Sequence, residues 1–267
     1  MERRSWSRDE LLVAFRLFCA TPFGRLHRGN PDIIKLASEL GRTPSAVAMK
    51  ACNFAAFDPK LKARGINGLA NSAKADRLLW DEFQSDSVSV AVQCEEAHSL
   101  ISKSTSLEGE DDLPQMPIGP SEVERRVKVR RIQSFFRAAV LSSYDFKCAI
   151  SGLEIQSLLV ASHIMPWARF EQRRADPRNG ISLNSIYDQA FDKGLLTFDE
   201  EYRVVLSPEL KMPGSSQFQH DVFIEVEGRQ MTLPSRFVPD PAALAHHREN
   251  IFMKRKLAGT NGMVLND

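Results

Sequence analysis

Residues 148–207 read CAISGLEIQSLLVASHIMPWARFEQRRADPRNGISLNSIYDQAFDKGLLTFDEEYRVVLS, and the pattern in them decides the fold of the second half of the chain. Leu158-Leu159-Val160-Ala161-Ser162-His163-Ile164 is a mostly apolar run ended by Pro166, as expected of a buried strand. Asp176-Pro177-Arg178-Asn179-Gly180 has the composition of a turn. Ile181-Ser182-Leu183 follows as a short second strand, and Ser185 to Lys193 as a helix stopped by Gly194. Strand, loop, strand, helix is a ββα unit. It places His163 at the end of one strand, Asn179 at the start of the next, and Asp188 on the helix. Further on, Leu195 to Phe198 and Arg203 to Leu206 predict a hairpin. Val222 to Val226 and Gln230 to Leu233 predict a second hairpin about Glu227-Gly228-Arg229, and Pro241 to Lys256 a closing helix.

Three pieces of this stretch recur together elsewhere: Ser162-His163-Ile164-Met165-Pro166-Trp167 at the strand end, Asp176-Pro177-Arg178-Asn179-Gly180 at the turn, and Phe191-Asp192-Lys193-Gly194-Leu195 at the helix exit. In their order and spacing they resemble the HNH endonucleases, the ββα-metal nucleases, over about 60 residues. Within that family they resemble the branch found in bacterial restriction-type enzymes. Hydrolysis of a phosphodiester needs an activated water, charge neutralisation at phosphorus and a stabilised leaving oxygen. Histidine, with an ordinary pKa of ~6.5, can take a proton from water at neutral pH, so His163 is the expected general base. The resemblance implies that Asn179 braces the loop and orients the imidazole. It also implies that Asp188 is an oxygen ligand to one Mg²⁺ or Mn²⁺ per active site. Arg169, Arg173, Arg174 and Arg178 lie between the first two motif pieces and are candidates for holding neighbouring phosphates.

The chain departs from the family pattern in two places. Many HNH enzymes carry an Asp immediately before the catalytic His, where this chain has Ser162, and many have a His at the position of Asp188. Asp192, one helical turn after Asp188, is the expected additional ligand. The cysteine pairs that staple some HNH domains are absent, so no structural zinc is expected. Trp167 reads as a packing residue. His246 and His247 are adjacent on a helix and point apart, which argues against a metal site there.

Upstream, Glu122 to Leu141 predicts a long amphipathic helix, with Val129, Ile132, Phe136 and Val140 on one side and Arg125, Arg126, Arg130, Arg131 and Arg137 on the remainder. Before it, Ser104 to Pro120 is rich in Ser, Gly, Pro and acid and too poor in apolar residues to offset its ordering entropy. Residues 84–124 carry 1 basic against 9 acidic side chains, a net −8, between blocks of +5 (residues 1–83) and +4 (residues 125–267). An acidic connector of this kind would compete with phosphate for basic faces.

The first block is helical. Ser7-Arg8-Asp9-Glu10 has capping-box spacing, followed by Leu11, Leu12, Phe15 and Phe18 on one face. Pro31 opens a second helix that Gly41 ends, and Thr43-Pro44 opens a third with Val47, Ala51 and Phe54 inward. The spacing is that of a helix-turn-helix, in which Arg42, Ser45 and Lys50 face outward as candidate nucleic-acid contacts; an ordinary helical bundle fits the same spacing.

The 267 residues, 43% hydrophobic and 26% charged, suffice for two modest cores. Four widely spaced cysteines offer neither a disulfide framework nor a zinc motif. There is no apolar run near the ~18–20 residues of a membrane span and no signal-like start, so a cytoplasmic protein without membrane association is expected. The expected fold class is α+β: residues 1–85 a helix-turn-helix-like domain contacting DNA or a partner, 86–120 an acidic flexible linker, and 121–267 an HNH domain with extra β-hairpins and a closing helix. The expected function is a metal-dependent endonuclease acting on DNA in restriction or anti-phage defence, as a homodimer or with a defence-system partner or activator. The alternative is a DNA-binding regulator or defence-complex subunit with an inactive HNH scaffold.

Overall fold

The computed structural model describes residues 4–66, 74–102, 120–212 and 216–252, apart from the side chains of 120–122. The Ser- and acid-rich stretch 103–119 and residues 253–256 of the expected closing helix lie outside them. By contacts the chain forms two compact units, Met1–Ser143 with Gln172–Asp176, and Tyr144–Glu171 with Pro177–Asp267.

The first unit is helical. Helix α1 (Arg8–Ala20) starts at the predicted capping box: Ser7 Oγ accepts from Glu10 N at 3.2 Å, and the Glu10 carboxylate accepts from Ser7 N at 2.9 Å. α2 (Pro31–Leu40) is capped by Asn30 and ends at Gly41, whose φ of 61° is the left-handed conformation that favours glycine. α3 (Pro44–Ala55) follows at once under a Thr43 cap. Then come α4 (Pro59–Ala63), α5 (Lys74–Ser85), α6 (Ser87–Ile101) and α7 (Pro120–Ser143).

α1 is the centre of this unit. The sequence shows one apolar face, but Val13, Ala14, Leu17 and Cys19 are buried as well as Leu11, Leu12, Phe15 and Phe18, because α3, α5, α6 and α7 surround it. Phe15 is the hub, with ring centroids 5.0 Å from Phe54 and 4.9 Å from Phe83, which in turn meets Phe135 of α7 at 5.8 Å.

Three expectations meet a different structure here. Ser87–Ile101, inside the segment read as flexible linker, is a helix capped by Asp86. Its buried stripe is Val90, Ala91, Cys94 and Ala97, small residues whose helical spacing is masked by surrounding Ser and Glu. α7, grouped by sequence with the C-terminal block, packs on α1 and α6. Lys50, expected to face outward, is buried: its Nζ lies 2.9 and 3.1 Å from the two Asp76 carboxylate oxygens, and Asn53 donates to the same carboxylate at 3.0 Å.

The second unit is built on the predicted ββα. β1 (Leu159–His163) pairs antiparallel with β2 (Gly180–Asn184), with His163 opposite Gly180. Asn184 caps α8 (Ser185–Asp192), accepting from the Ile186 and Tyr187 amides. β3 (Leu196–Phe198) and β4 (Val204–Leu206) make the first predicted hairpin. The second does not form. Residues Gln217–Val222 are instead helix α9, started by a Ser216 cap, and Ile224–Val226 a 3-10 turn; Gln230 makes only an isolated bridge to Arg203. Phe223 and Val226 are buried through these turns, not through strand alternation, and the Phe223 ring lies 5.9 Å from that of Tyr187. α10 (Pro241–His247) continues as a π-helical turn, Arg248–Phe252. That turn explains Gly194, which has φ 68° and where a Cβ would lie 2.8 Å from the Ile251 carbonyl oxygen. The cysteines are all free thiols.

Removing Asp76 leaves the Lys50 ammonium buried without its partner. Asp76→Ala is expected to cost about 3 kcal/mol or more in urea unfolding, whereas Asp81→Ala, which breaks the exposed Arg77–Asp81 pair, costs less than about 1 kcal/mol. Equal losses would contradict the reading of Lys50 as a core residue.

Candidate active site

His163 is the last residue of β1 and is half-buried, with the Trp167 ring edge-on at 5.4 Å between centroids. The chain after it is fixed by Asn179. The Asn179 carboxamide, 1% exposed, accepts from Met165 N at 2.8 Å and donates to Met165 O at 3.3 Å, and its backbone carbonyl accepts from Ile164 N at 2.9 Å. A carboxamide offers a donor and an acceptor side by side. Asp would lack the donor and Ser the reach, so Asn is the side chain that can hold both polar groups of one backbone residue.

Asp188 lies in the first turn of α8 and is buried. Burial raises its pKa above the ordinary carboxyl value, and the Ser162 hydroxyl, at the adjacent position on β1, lowers it part of the way back. That hydroxyl is itself buried and has no partner meeting full hydrogen-bond geometry. Asp192 keeps an exposed edge, yet its carboxyl is pushed up to about 6, first by burial among its neighbours and then by the Asp188 charge. One hydroxyl and two carboxyls thus neighbour one another, and the Asp188 charge opposes ionisation of Asp192. The fit is to a hard cation: oxygen donors only, a buried hydroxyl directed at Asp188, and carboxylates whose ionised forms gain from a counter-charge. Among the described residues, only His220, Asp221 and Glu225, exposed on α9 and just beyond it, bring three His, Cys, Asp or Glu ligand atoms within 4.8 Å of one another. His163, Asp188 and Asp192 are not drawn together that closely.

The remaining candidates divide. Ser45 is exposed at the start of α3. Arg42, expected outward, is committed inside its unit: it donates to Glu10 at 2.8 and 3.1 Å and its guanidinium lies 4.0 Å over the Trp6 ring. Burial works against the Glu10 charge, but the Arg42 and Ser7 hydrogen bonds hold its pKa below the usual value. With Lys50 in the core, two of the three expected helix-turn-helix contacts are structural. Arg169 is exposed and Arg178 half-buried; Arg173 pairs with Asp176 at 3.1 Å and, with Arg174, falls in the segment that groups with the helical unit.

His247 is a residue whose part the sequence did not reveal. Its ring stacks on Phe191 at 3.8 Å and 4°, with Nε2 3.0 Å from the Phe191 carbonyl and Nδ1 2.9 Å from Thr197 Oγ1. The carbonyl can only accept, so Nε2 carries the proton. Burial lowers its pKa to about 4. It is a neutral peg behind the exit of α8, and nothing in the sequence around His246-His247 distinguishes it from a surface histidine.

A family model described as HNH endonuclease matches residues 148–199, the segment that holds β1, β2, α8 and β3. The match supports the HNH family for this part of the chain, and with it a nuclease in general. HNH nucleases generally use a divalent metal ion. No curated protein matches the chain. No helix among the described residues is long and apolar enough to cross a membrane.

Asp188→Asn removes the charge that acts on Asp192, so the Asp192 carboxyl should titrate lower than about 6, as read by ¹³C NMR; an unmoved midpoint would uncouple the pair. His247 gives a stability slope. Its folded pKa is depressed from 6.5 to about 4, so between those values the unfolded state binds the extra proton and stability falls as pH falls. The loss by pH 4 is about 3 kcal/mol, and His247→Gln should flatten that part of the curve.

Proposed function

We propose that the chain is a metal-dependent endonuclease that hydrolyses DNA phosphodiester bonds with His163 as general base. The observation that carries this reading is one ββα unit in which a half-buried histidine ends a strand, Asn179 clamps the loop after it, and Ser162, Asp188 and Asp192 gather oxygen donors nearby in the fold. The water oxygen attacks phosphorus as its proton passes to the imidazole of His163; the P–O3′ bond breaks and the leaving oxygen takes up a proton. The products are 5′-phosphate and 3′-hydroxyl ends. Asn179 acts by holding the Ile164–Met165 backbone, so that the histidine cannot swing with its loop. Asp188 and Asp192 would hold one Mg²⁺ or Mn²⁺, with the Ser162 hydroxyl turned towards Asp188. Such an ion, when bound, supplies charge neutralisation at the phosphate and at the leaving oxygen. Arg169 and Arg178 are the candidates for neighbouring phosphates in the same unit.

Restriction or anti-phage defence in the cytoplasm is the setting we infer from the restriction-type motif branch. A homodimer would let one active site per chain cut both strands, and dependence on an activator would restrain cutting of host DNA. One observation favours a second reading, an inactive scaffold: Ser162 stands where many HNH enzymes have a carboxylate, which leaves few charged ligands.

Supercoiled plasmid separates the two. The purified chain should nick or linearise it with Mg²⁺ or Mn²⁺ and not with EDTA, and His163→Ala should slow cleavage by roughly 10²- to 10⁴-fold. Cleavage that persists in His163→Ala would contradict the assignment of the base; if neither ion supports cleavage, a Mn²⁺ site that is lost in Asp188→Asn marks an enzyme awaiting its activator, and no Mn²⁺ site marks the scaffold.

A further inference from the structure

With Arg42 and Lys50 engaged inside the helical unit, α3 has no charged side chain left to offer: Lys50 is the only charged residue from Pro44 to Ala55, and the outward positions are occupied by Ser45 and a half-exposed Met49. The basic surface of this unit lies elsewhere. On α7, Ile132, Phe135, Phe136, Ala139 and Val140 are buried and define the inward side. At 3.6 residues per turn, Arg126, Arg130 and Arg137 fall within about 40° of one another on the opposite side of the helix. All three are exposed. Arg126 and Arg130 have no ion pair among the described residues, whereas Arg131, which points to another side, is paired with Glu96 at 2.6 Å. Glu124 lies about 140° round the helix from the stripe, so no acid of the described part of α7 interrupts it.

We infer that the Arg126–Arg130–Arg137 stripe of α7 is the surface by which the helical unit holds duplex DNA, through backbone phosphates and without reading bases. The occupant follows from charge and spacing. The stripe is about 16 Å long at 1.5 Å per residue, which spans the axial rise of about five base pairs at ~3.4 Å of duplex axis per phosphate of one strand. Guanidinium groups form two-point hydrogen bonds with phosphate oxygens, and an uninterrupted row of them suits a regularly spaced polyanion. The choice of DNA as the polyanion rests on the nuclease reading; the placement of the surface does not.

The test is binding of the full chain to a fluorescent duplex in EDTA, where no cutting occurs, over a series of salt concentrations. Arg126→Gln, Arg130→Gln and Arg137→Gln together should weaken binding on the order of 10- to 100-fold and reduce the slope of log K against log [salt] by roughly 2 to 3. A control that removes the same charge elsewhere on the unit, Arg28→Gln with Lys62→Gln and Arg64→Gln, should leave the slope nearly unchanged. The inference is overturned if the stripe variant keeps the wild-type slope, if the control lowers it equally, if the wild type does not bind duplex at low salt, or if RNA or an acidic polypeptide binds more tightly than duplex DNA. Plasmid cleavage failing while the stripe still binds would count against the nuclease reading and leave this surface standing, and normal cleavage with no effect of the stripe variant would do the reverse.

Discussion

The two hydrogen bonds from the buried Asn179 carboxamide to the backbone of Met165 tie the end of β1 to the start of β2. Without them the chain just after His163 would be held only by the backbone bond from Ile164 N to Asn179 O. With them the imidazole has a defined backbone, and the edge of Trp167 closes one side of it. A clamp of this kind is set by folding alone, before any substrate arrives, so in the proposed reaction a general base at His163 would need no rearrangement.

The second feature of the unit is electrostatic and is unfavourable as it stands. Asp188 and Asp192 are one turn apart on α8, both are raised in pKa, and the Asp188 charge contributes to the rise at Asp192. A buried carboxylate beside a second, exposed one is favoured where a counter-charge joins them. The Ser162 hydroxyl eases Asp188 without supplying a charge. Replacing a carboxylate by a hydroxyl at this place lowers the negative charge offered to a cation while keeping an oxygen. For the proposed metal site the physical consequence would be weaker retention of the ion than with an Asp there. Behind the pair, His247 and the close approach of the Arg248–Phe252 turn at Gly194 hold the end of α8 without adding charge to it.

Much of this was legible in the residues because the local signals agree with the tertiary structure. A strand ended by proline, a turn of Asp, Pro, Asn and Gly, and a helix stopped by glycine give β1, β2 and α8 where they occur. Ser7, Thr43 and Gly41 do the same for the helical unit. The misreadings share a cause: the decisive information was tertiary. α6 looked like linker because Ala91, Cys94 and Ala97 are small and lie among serines and acids, though they suffice to pack on α1. Arg42 and Lys50 looked like surface cations because Glu10, Trp6 and Asp76, which bind them, are distant in sequence. The alternation around Phe223 suggested a strand where a Ser216 cap and packing against Tyr187 make helical turns. The contact of Ser162 with Asp188 follows only once β1 lies against α8.

On the proposed reading, Asp188 and its neighbours hold a divalent cation in the unit that carries His163. Mn²⁺ binding to the purified chain, followed by EPR, tests it most directly. The account predicts one Mn²⁺ site per chain that is lost in Asp188→Asn, kept in His163→Ala and kept when His220 and Glu225 on the exposed cluster are replaced. A site that survives Asp188→Asn, or that disappears with His220 and Glu225, would contradict it.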